Sequence, residues 1–323
     1  MIKKASKTVI CNDKGIYLED FIFSSESLQC ESGGSWSIRK SRLKGGLSDG
    51  VDQVVIDNGH FSFSVLPSRG MGIFQGNCGG NFIGWSSPVG NPVNPSFINL
   101  FEPGDTRGWL KGFNECIVRC GLHSNGAACV DRIENEDGSV SETALNMHGL
   151  IANLPAKFVE LQVVFSDPIE LVVIGVVEEA APFFPQYRLT TRISSFVGSS
   201  KINISESVEN FGGTPAEFQM LYHCNFGAPF LEEGSKLVIP ALETAPRDAR
   251  AAEIMIPGIC IKPRKQDTRN KIIIMIWLLM HKAILFLCCV IKLETKELPC
   301  VGRKSKCHIS VNGNVQLQLT RVM

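Results

Sequence analysis

Polar and apolar residues alternate over short stretches for most of the chain. Val51–Ile56 is followed by Asp57-Asn58-Gly59, after which Phe61, Phe63 and Val65 interleave with His60, Ser62 and Ser64. A period of two puts every second side chain on one face, so this stretch reads as half-buried strands joined by a turn. Similar runs lie at Phe158–Phe165, Glu170–Val177, Tyr187–Ile193, Lys201–Val208 and Glu217–Tyr222. Ser166-Asp167-Pro168, Gly198-Ser199-Ser200 and Gly212-Gly213-Thr214-Pro215 interrupt them with residues that supply turn angles or local turn hydrogen bonds. Many strands at short spacing, with no recurring long helix between them, predict an antiparallel sandwich and not a doubly wound sheet.

Two intervals depart from this pattern. From Gly70 to Gly126 the chain is rich in glycine, proline and asparagine while keeping Trp85 and Trp109. That composition predicts long ordered loops that set aromatic rings beside a groove. Gly76, Gly79, Gly80 and Gly84 lack both the Gly-Lys-Ser/Thr ending of a phosphate loop and dinucleotide-binding spacing. Near the other end, Ile272–Ile291 is apolar except for His281 and Lys282. Its length matches a bilayer-spanning helix. A central lysine costs such a helix about 3 kcal/mol, and the run divides naturally around it, so two buried strands joined by a turn are expected and membrane association is disfavoured.

Composition narrows the function classes. The 323 residues are 44% hydrophobic, enough for a sizeable core. Thirty-two basic residues balance 32 acidic ones, so no strong overall field draws in nucleic acid or an anionic membrane. The basic pieces Arg39-Lys40-Ser41-Arg42 and Arg303-Lys304-Ser305-Lys306 are short and lack interleaved aromatics, which reads as solvated surface. The amino terminus has no secretory apolar core, and 12 cysteines are scattered without zinc-site spacing. Cys116 and Cys120 have the spacing of one helical face. Buried thiols in a reducing, cytoplasmic setting, with no metal, are the expectation.

Candidate chemistry centres on His148, in Asn146-Met147-His148-Gly149, and His223, in Leu221-Tyr222-His223-Cys224-Asn225. Imidazoles exchange protons and hydrogen-bond sugar hydroxyls near neutral pH. Either ring could equally be a core histidine satisfied by backbone groups, since 75 residues separate the pair. Arg69, Glu115, Arg119 and the Glu232-Glu233 pair offer donors and acceptors, with structural salt bridges as the competing role. Trp85 and Trp109 suit either an apolar platform for a sugar face or simple packing. No Gly-x-Ser-x-Gly elbow accompanies any serine.

Taken in order, Arg69-Gly70-Met71, Gly84-Trp85-Ser86-Ser87-Pro88, Cys120-Gly121-Leu122, Met147-His148-Gly149, Asn153-Leu154-Pro155-Ala156, Tyr222-His223-Cys224-Asn225-Phe226-Gly227 and Pro246-Arg247-Asp248-Ala249 resemble the galactose mutarotase-like superfamily. The resemblance is strongest to its aldose 1-epimerase-like branch and covers roughly residues 45–253. It implies an all-β, large antiparallel β-supersandwich with long loops over a carbohydrate groove. On this reading residues 1–44 form an amino-terminal extension with the first strands, 45–300 the supersandwich and 301–323 a divergent tail.

The resemblance also implies His223 as general acid, His148 as the histidine that holds or polarises the sugar, and Arg69 and Glu233 as pocket groups; with Trp85 from the aromatic reading, these make the expected substrate-binding set. The ligand would be a monosaccharide or similar small molecule, and no cofactor is required. The pattern is broken in two places. Leu150 stands where the family usually has arginine, and Val301–Met323 does not resemble the segment carrying the family's terminal glutamate base, with Glu294 and Glu297 falling before its place. Two functions follow as expectations: an aldose 1-epimerase-like protein that interconverts anomers by acid/base ring opening, or a non-catalytic carbohydrate binder that lacks the terminal base.

Overall fold

The alternating stretches pair into two large antiparallel sheets. The computed structural model describes residues 3–30, 33–102, 107–134 and 137–227 in full, and beyond them the backbone of Val238–Ile239, Cys260–Ile261, Ile272–Leu279, Ile284–Ile291 and Val315–Gln318. A seven-stranded sheet runs in the order Ile16–Tyr17, Lys3–Cys11, Phe158–Phe165, Glu170–Glu179, Tyr187–Phe196, Lys201–Asn210, Val315–Gln318. A ten-stranded sheet runs Ile272–Leu279, Ile284–Ile291, Gln219–Phe226, Ile117–Leu122, Gly72–Cys78, Phe61–Leu66, Asp52–Asp57, Ser37–Arg42, Phe21–Ser24, with Asn81–Ile83 paired beside Gly72–Cys78. The described elements besides strands are short 3-10 turns, so the architecture is all-β, as the alternation predicts.

The core lies between the sheets. Leu161, Val163, Val173, Leu189 and Ile193 from one sheet meet Ile38, Ile56, Phe61, Phe63 and Ile117 from the other in a single buried cluster. Lys201–Asn210 shows why the pattern was readable: its residues alternate between half-buried and buried for most of its length. Each fully buried aliphatic or phenyl side chain contributes roughly 1.5–3 kcal/mol, so the inward positions of these strands dominate stability.

Residues before position 45 are integral to this packing. Lys3–Cys11 pairs with Phe158–Phe165, and Val9, Trp36 and Ile38 are core residues. A boundary at 45 therefore does not separate packed units. The basic piece Arg39-Lys40-Ser41-Arg42 also departs from the solvated-surface expectation. Within the strand Ser37–Arg42, Arg39 is exposed, but Lys40 is fully buried. The Lys40 ammonium lies 2.7 Å from Asp52 and 4.1 Å from the Tyr17 ring centroid. A strand splits adjacent charges between its two faces, so a basic run need not be a basic patch.

The Gly70–Gly126 interval contains strands as well as loops, namely Gly72–Cys78, Asn81–Ile83 and Ile117–Leu122. Glycine and asparagine weaken the β signal there, and pairing within a large sheet overrides the local preference. Cys120 accordingly lies on a strand, with Cys116 just before it, and not on a helix. The apolar run Ile272–Ile291 forms two antiparallel strands, with Ile284–Ile291 alongside Gln219–Phe226. Among the described residues no helix is long and apolar enough to cross a membrane.

A buried polar cluster also bridges the two sheets. Arg119 donates to a Glu206 carboxylate oxygen at 2.5 Å and to the Met71 carbonyl at 2.5 Å. Glu206 also accepts from the Thr191 hydroxyl at 2.8 Å and from the Tyr222 hydroxyl. Burial, and then the Glu206 charge, push the Tyr222 phenol well above its usual range. Arg119, a candidate site residue by sequence, thus holds the two sheets together from inside.

Candidate functional site

Strand parity sends His223 to the other side of the ten-stranded sheet. Along Gln219–Phe226, Tyr222 and Cys224 belong to the main core, while Leu221 joins a second apolar cluster with Trp109, Phe113, Val118, Cys120 and Ala152. His223 shares the Leu221 face, opposite Val118 on the neighbouring strand. Its ring meets Phe113 edge-on at 5.0 Å and lies 6.4 Å from Trp109.

His148 reaches the same place from a loop. Its φ is 59°, an uncommon value for a residue with a side chain, and the following Gly149 has φ 70°. A side chain at Gly149 would place its Cβ 2.3 Å from the carbonyl oxygens of both Gly121 and Ser124, so only glycine lets the backbone approach so closely. The turn is fastened by hydrogen bonds from His148 N to Gly126 O at 2.9 Å and from Gly121 N to His148 O at 3.1 Å. The His-Gly sequence is a device for aiming an imidazole from a strained turn, the kind of backbone outlier that clusters at functional sites.

The result is that two rings distant in sequence converge. The His148 and His223 centroids are 5.9 Å apart at an interplanar angle of 80°, and Trp109 lies 4.7 Å from His148. Burial lowers the His148 pKa to about 4. Burial, and then the neighbouring His148, lower His223 to about 4, against a smaller upward pull from Asn225. Both rings are therefore neutral at neutral pH.

Beneath them runs a buried relay. His223 Nδ1 is 2.7 Å from Asn225 Oδ1, and Asn225 Nδ2 donates to the Glu115 carbonyl at 2.7 Å. That same carbonyl accepts from the Trp85 indole at 3.1 Å, while the Glu115 carboxylate accepts from Arg69 Nε at 2.6 Å. The Arg69 guanidinium is 1% exposed and donates further to the Val93 and Gly112 carbonyls and to Asn153 Oδ1. Its hydrogen-bonding capacity is spent on knitting loops together, which is a different placement from a group open to ligand. Gly70 extends that knot, since a Cβ there would sit 2.2 Å from the Ile151 carbonyl oxygen.

Residues 48–273 match the family described as Domain of unknown function (DUF4432). The chain belongs to that family. It is also similar to the crystal structure of a "putative aldose 1-epimerase" from Klebsiella pneumoniae subsp. pneumoniae, at 30% sequence identity and a TM-score of 0.65. The match covers 74% of this chain and 59% of that one. No curated protein matches the chain. Together these findings establish the fold and a remote homology to the aldose 1-epimerase/galactose mutarotase-like superfamily.

Within this DUF4432 chain, the structure brings His148, His223, Trp109 and Phe113 together and sets Trp85 against Phe113 at 5.0 Å. Glu233 lies outside the described residues, as do Glu232, Glu294 and Glu297. Among the described residues no three His, Cys, Asp or Glu side chains gather into a metal-holding group. Asn225 was not singled out from sequence, although its i+2 spacing from His223 on a strand signals a shared face. A separate cavity of about 410 Å³ opens between Tyr17, Arg42, Asp52, Ser68, Asn94 and Pro155. It contains no histidine, and the Tyr17 hydroxyl and Lys40 ammonium both bind the Asp52 carboxylate, which leaves less chemistry to offer.

Proposed function

We propose that this protein binds a free aldose against the His148–His223 face and interconverts its anomers by opening and reclosing the hemiacetal. The carrying observation is the convergence of two imidazoles, 5.9 Å apart, beside Trp109 and Phe113. Aromatic rings packed beside the imidazoles suit the apolar face of a pyranose, and ring opening requires a proton to leave the anomeric hydroxyl and another to reach the ring oxygen. His223 and His148 are the groups assigned to that exchange. Trp85 is assigned to the ligand surface and Arg69 to holding the loops beneath it.

One observation favours a second reading, binding without turnover. With both pKa values near 4, neither ring carries the extra proton that a general acid needs at neutral pH. The two readings separate in one experiment. Freshly dissolved single-anomer aldoses, followed by polarimetry with intact folded protein, are expected to equilibrate faster than the buffer rate. Saturable binding across the sugar panel with no acceleration would leave only the binder. No binding and no acceleration would remove both.

A further inference from the structure

We propose that the two imidazoles are locked in opposite tautomers, with Asn225 as the positioning residue that makes His223 a proton acceptor while His148 serves as a hydrogen-bond donor. The argument begins at Glu115, whose backbone carbonyl can only accept. Asn225 Nδ2 lies 2.7 Å from it, so the amide nitrogen is fixed on that side and Oδ1 is turned to His223. Oδ1 also can only accept, so the bond of 2.7 Å requires the proton to sit on His223 Nδ1. In the neutral ring the lone pair is then on Nε2. Asn225 is fully buried, so bulk water does not compete for its amide.

His148 is set the other way. The backbone N–H of Gly126 can only donate, and it lies 3.3 Å from His148 Nδ1. Nδ1 therefore carries the lone pair, and the neutral ring carries its proton on Nε2. Desolvation keeps both rings neutral, which preserves the asymmetry.

This assignment rests on the sugar-isomerising reading for its chemistry and deepens it. His223 Nε2 takes the proton of the anomeric hydroxyl as the carbon–oxygen double bond forms and the bond from the anomeric carbon to the ring oxygen breaks. The electron pair of that bond passes to the ring oxygen, where the His148 Nε2–H donates a hydrogen bond to the developing charge. The His223 imidazolium then returns its proton to the ring oxygen. After rotation of the aldehyde the steps reverse on the other face. One proton moves between two sugar oxygens and none is consumed. The departure from the superfamily expectation is that His223 begins as acceptor and not as acid.

The tautomers are measurable without any sugar. Long-range ¹H–¹⁵N correlation spectra of the full chain at neutral pH are expected to show His223 protonated on Nδ1 alone and His148 on Nε2 alone. His223 protonated on Nε2, or either ring charged, would overturn the assignment. Asn225→Asp should raise the His223 titration point by about 1–3 units, because a carboxylate in the same position favours the imidazolium. Asn225→Leu should allow the Nε2–H form of His223 to appear. If neither variant folds, the wild-type spectrum decides alone. Expected tautomers without anomer exchange would uphold the positioning role and remove the isomerase, whereas exchange with the wrong tautomers would do the reverse.

Discussion

The strands Ile117–Leu122 and Gln219–Phe226 carry polar groups on both faces, and the two faces treat them differently. Toward the other sheet, Arg119 and Tyr222 meet Glu206 in a buried group of an ion pair and two hydroxyl hydrogen bonds that joins the sheets, with Arg119 Nη2 left unpaired among the described residues. Toward the loops, His223 lies against Phe113, His148 and the Asn225 amide, and its pKa falls to about 4. A buried ion pair between two sheets serves to hold them together. A buried imidazole kept neutral retains one nitrogen able to accept a proton, and that is what chemistry requires.

The contrast is broken most forcefully by changing one group on each face. His223→Gln should lower the rate of anomer exchange by about 10²–10⁴-fold while leaving the fold in place, as judged by kinetics beside a denaturation curve. Arg119→Met should do the opposite. It strands the Glu206 carboxylate in the core and should cost about 3–5 kcal/mol in unfolding free energy measured by urea titration. If Arg119→Met proved nearly neutral, or if His223→Gln unfolded the protein without a separate kinetic effect, the division of labour between the faces would fail.

A smaller effect comes from pH. An imidazole held near 4 in the fold titrates near 6.5 once unfolded, so between those values the unfolded chain binds more protons. Stability should therefore be complete above pH 6.5 and fall as the pH drops toward 4, by roughly 1.4 kcal/mol per pH unit for each ring. Glu179, raised by burial, acts in the opposite direction, and Glu178, lowered below its usual value, acts in the same one. The histidine share is the part of the slope that disappears in a double His148→Gln, His223→Gln variant. Smallest of all, Thr191→Val should cost about 1 kcal/mol through one lost hydrogen bond to Glu206 and leave exchange rates unchanged.

How far the sequence carries depends on whether the signal is local. Phe158–Phe165 appears in the fold with the limits that alternation gives it, and it is paired with a strand on each side. Gly72–Cys78 does not announce itself, because its glycines and asparagine lower local β preference and only its neighbours in the sheet make it a strand. The candidate site shows the same division. His148 and His223 stand out by residue type and motif, but their meeting depends on a left-handed turn at His148 and Gly149 that spacing does not reveal. Arg69 has the chemistry of a ligand-binding group, yet four protein acceptors claim it, which only packing discloses. Lys40 was misleading for a related reason, since its burial depends on Asp52 lying on the adjacent strand.

The central claim is that the neutral imidazole pair acts on a hemiacetal. Its most direct test is magnetisation exchange between the two anomeric proton resonances of an aldose at equilibrium, measured with the full chain across a panel of sugars at neutral pH. The account predicts exchange faster than in buffer for at least one sugar, abolished by His223→Gln in a folded protein. Buffer-rate exchange for every sugar, or acceleration that survives His223→Gln unchanged, would contradict it.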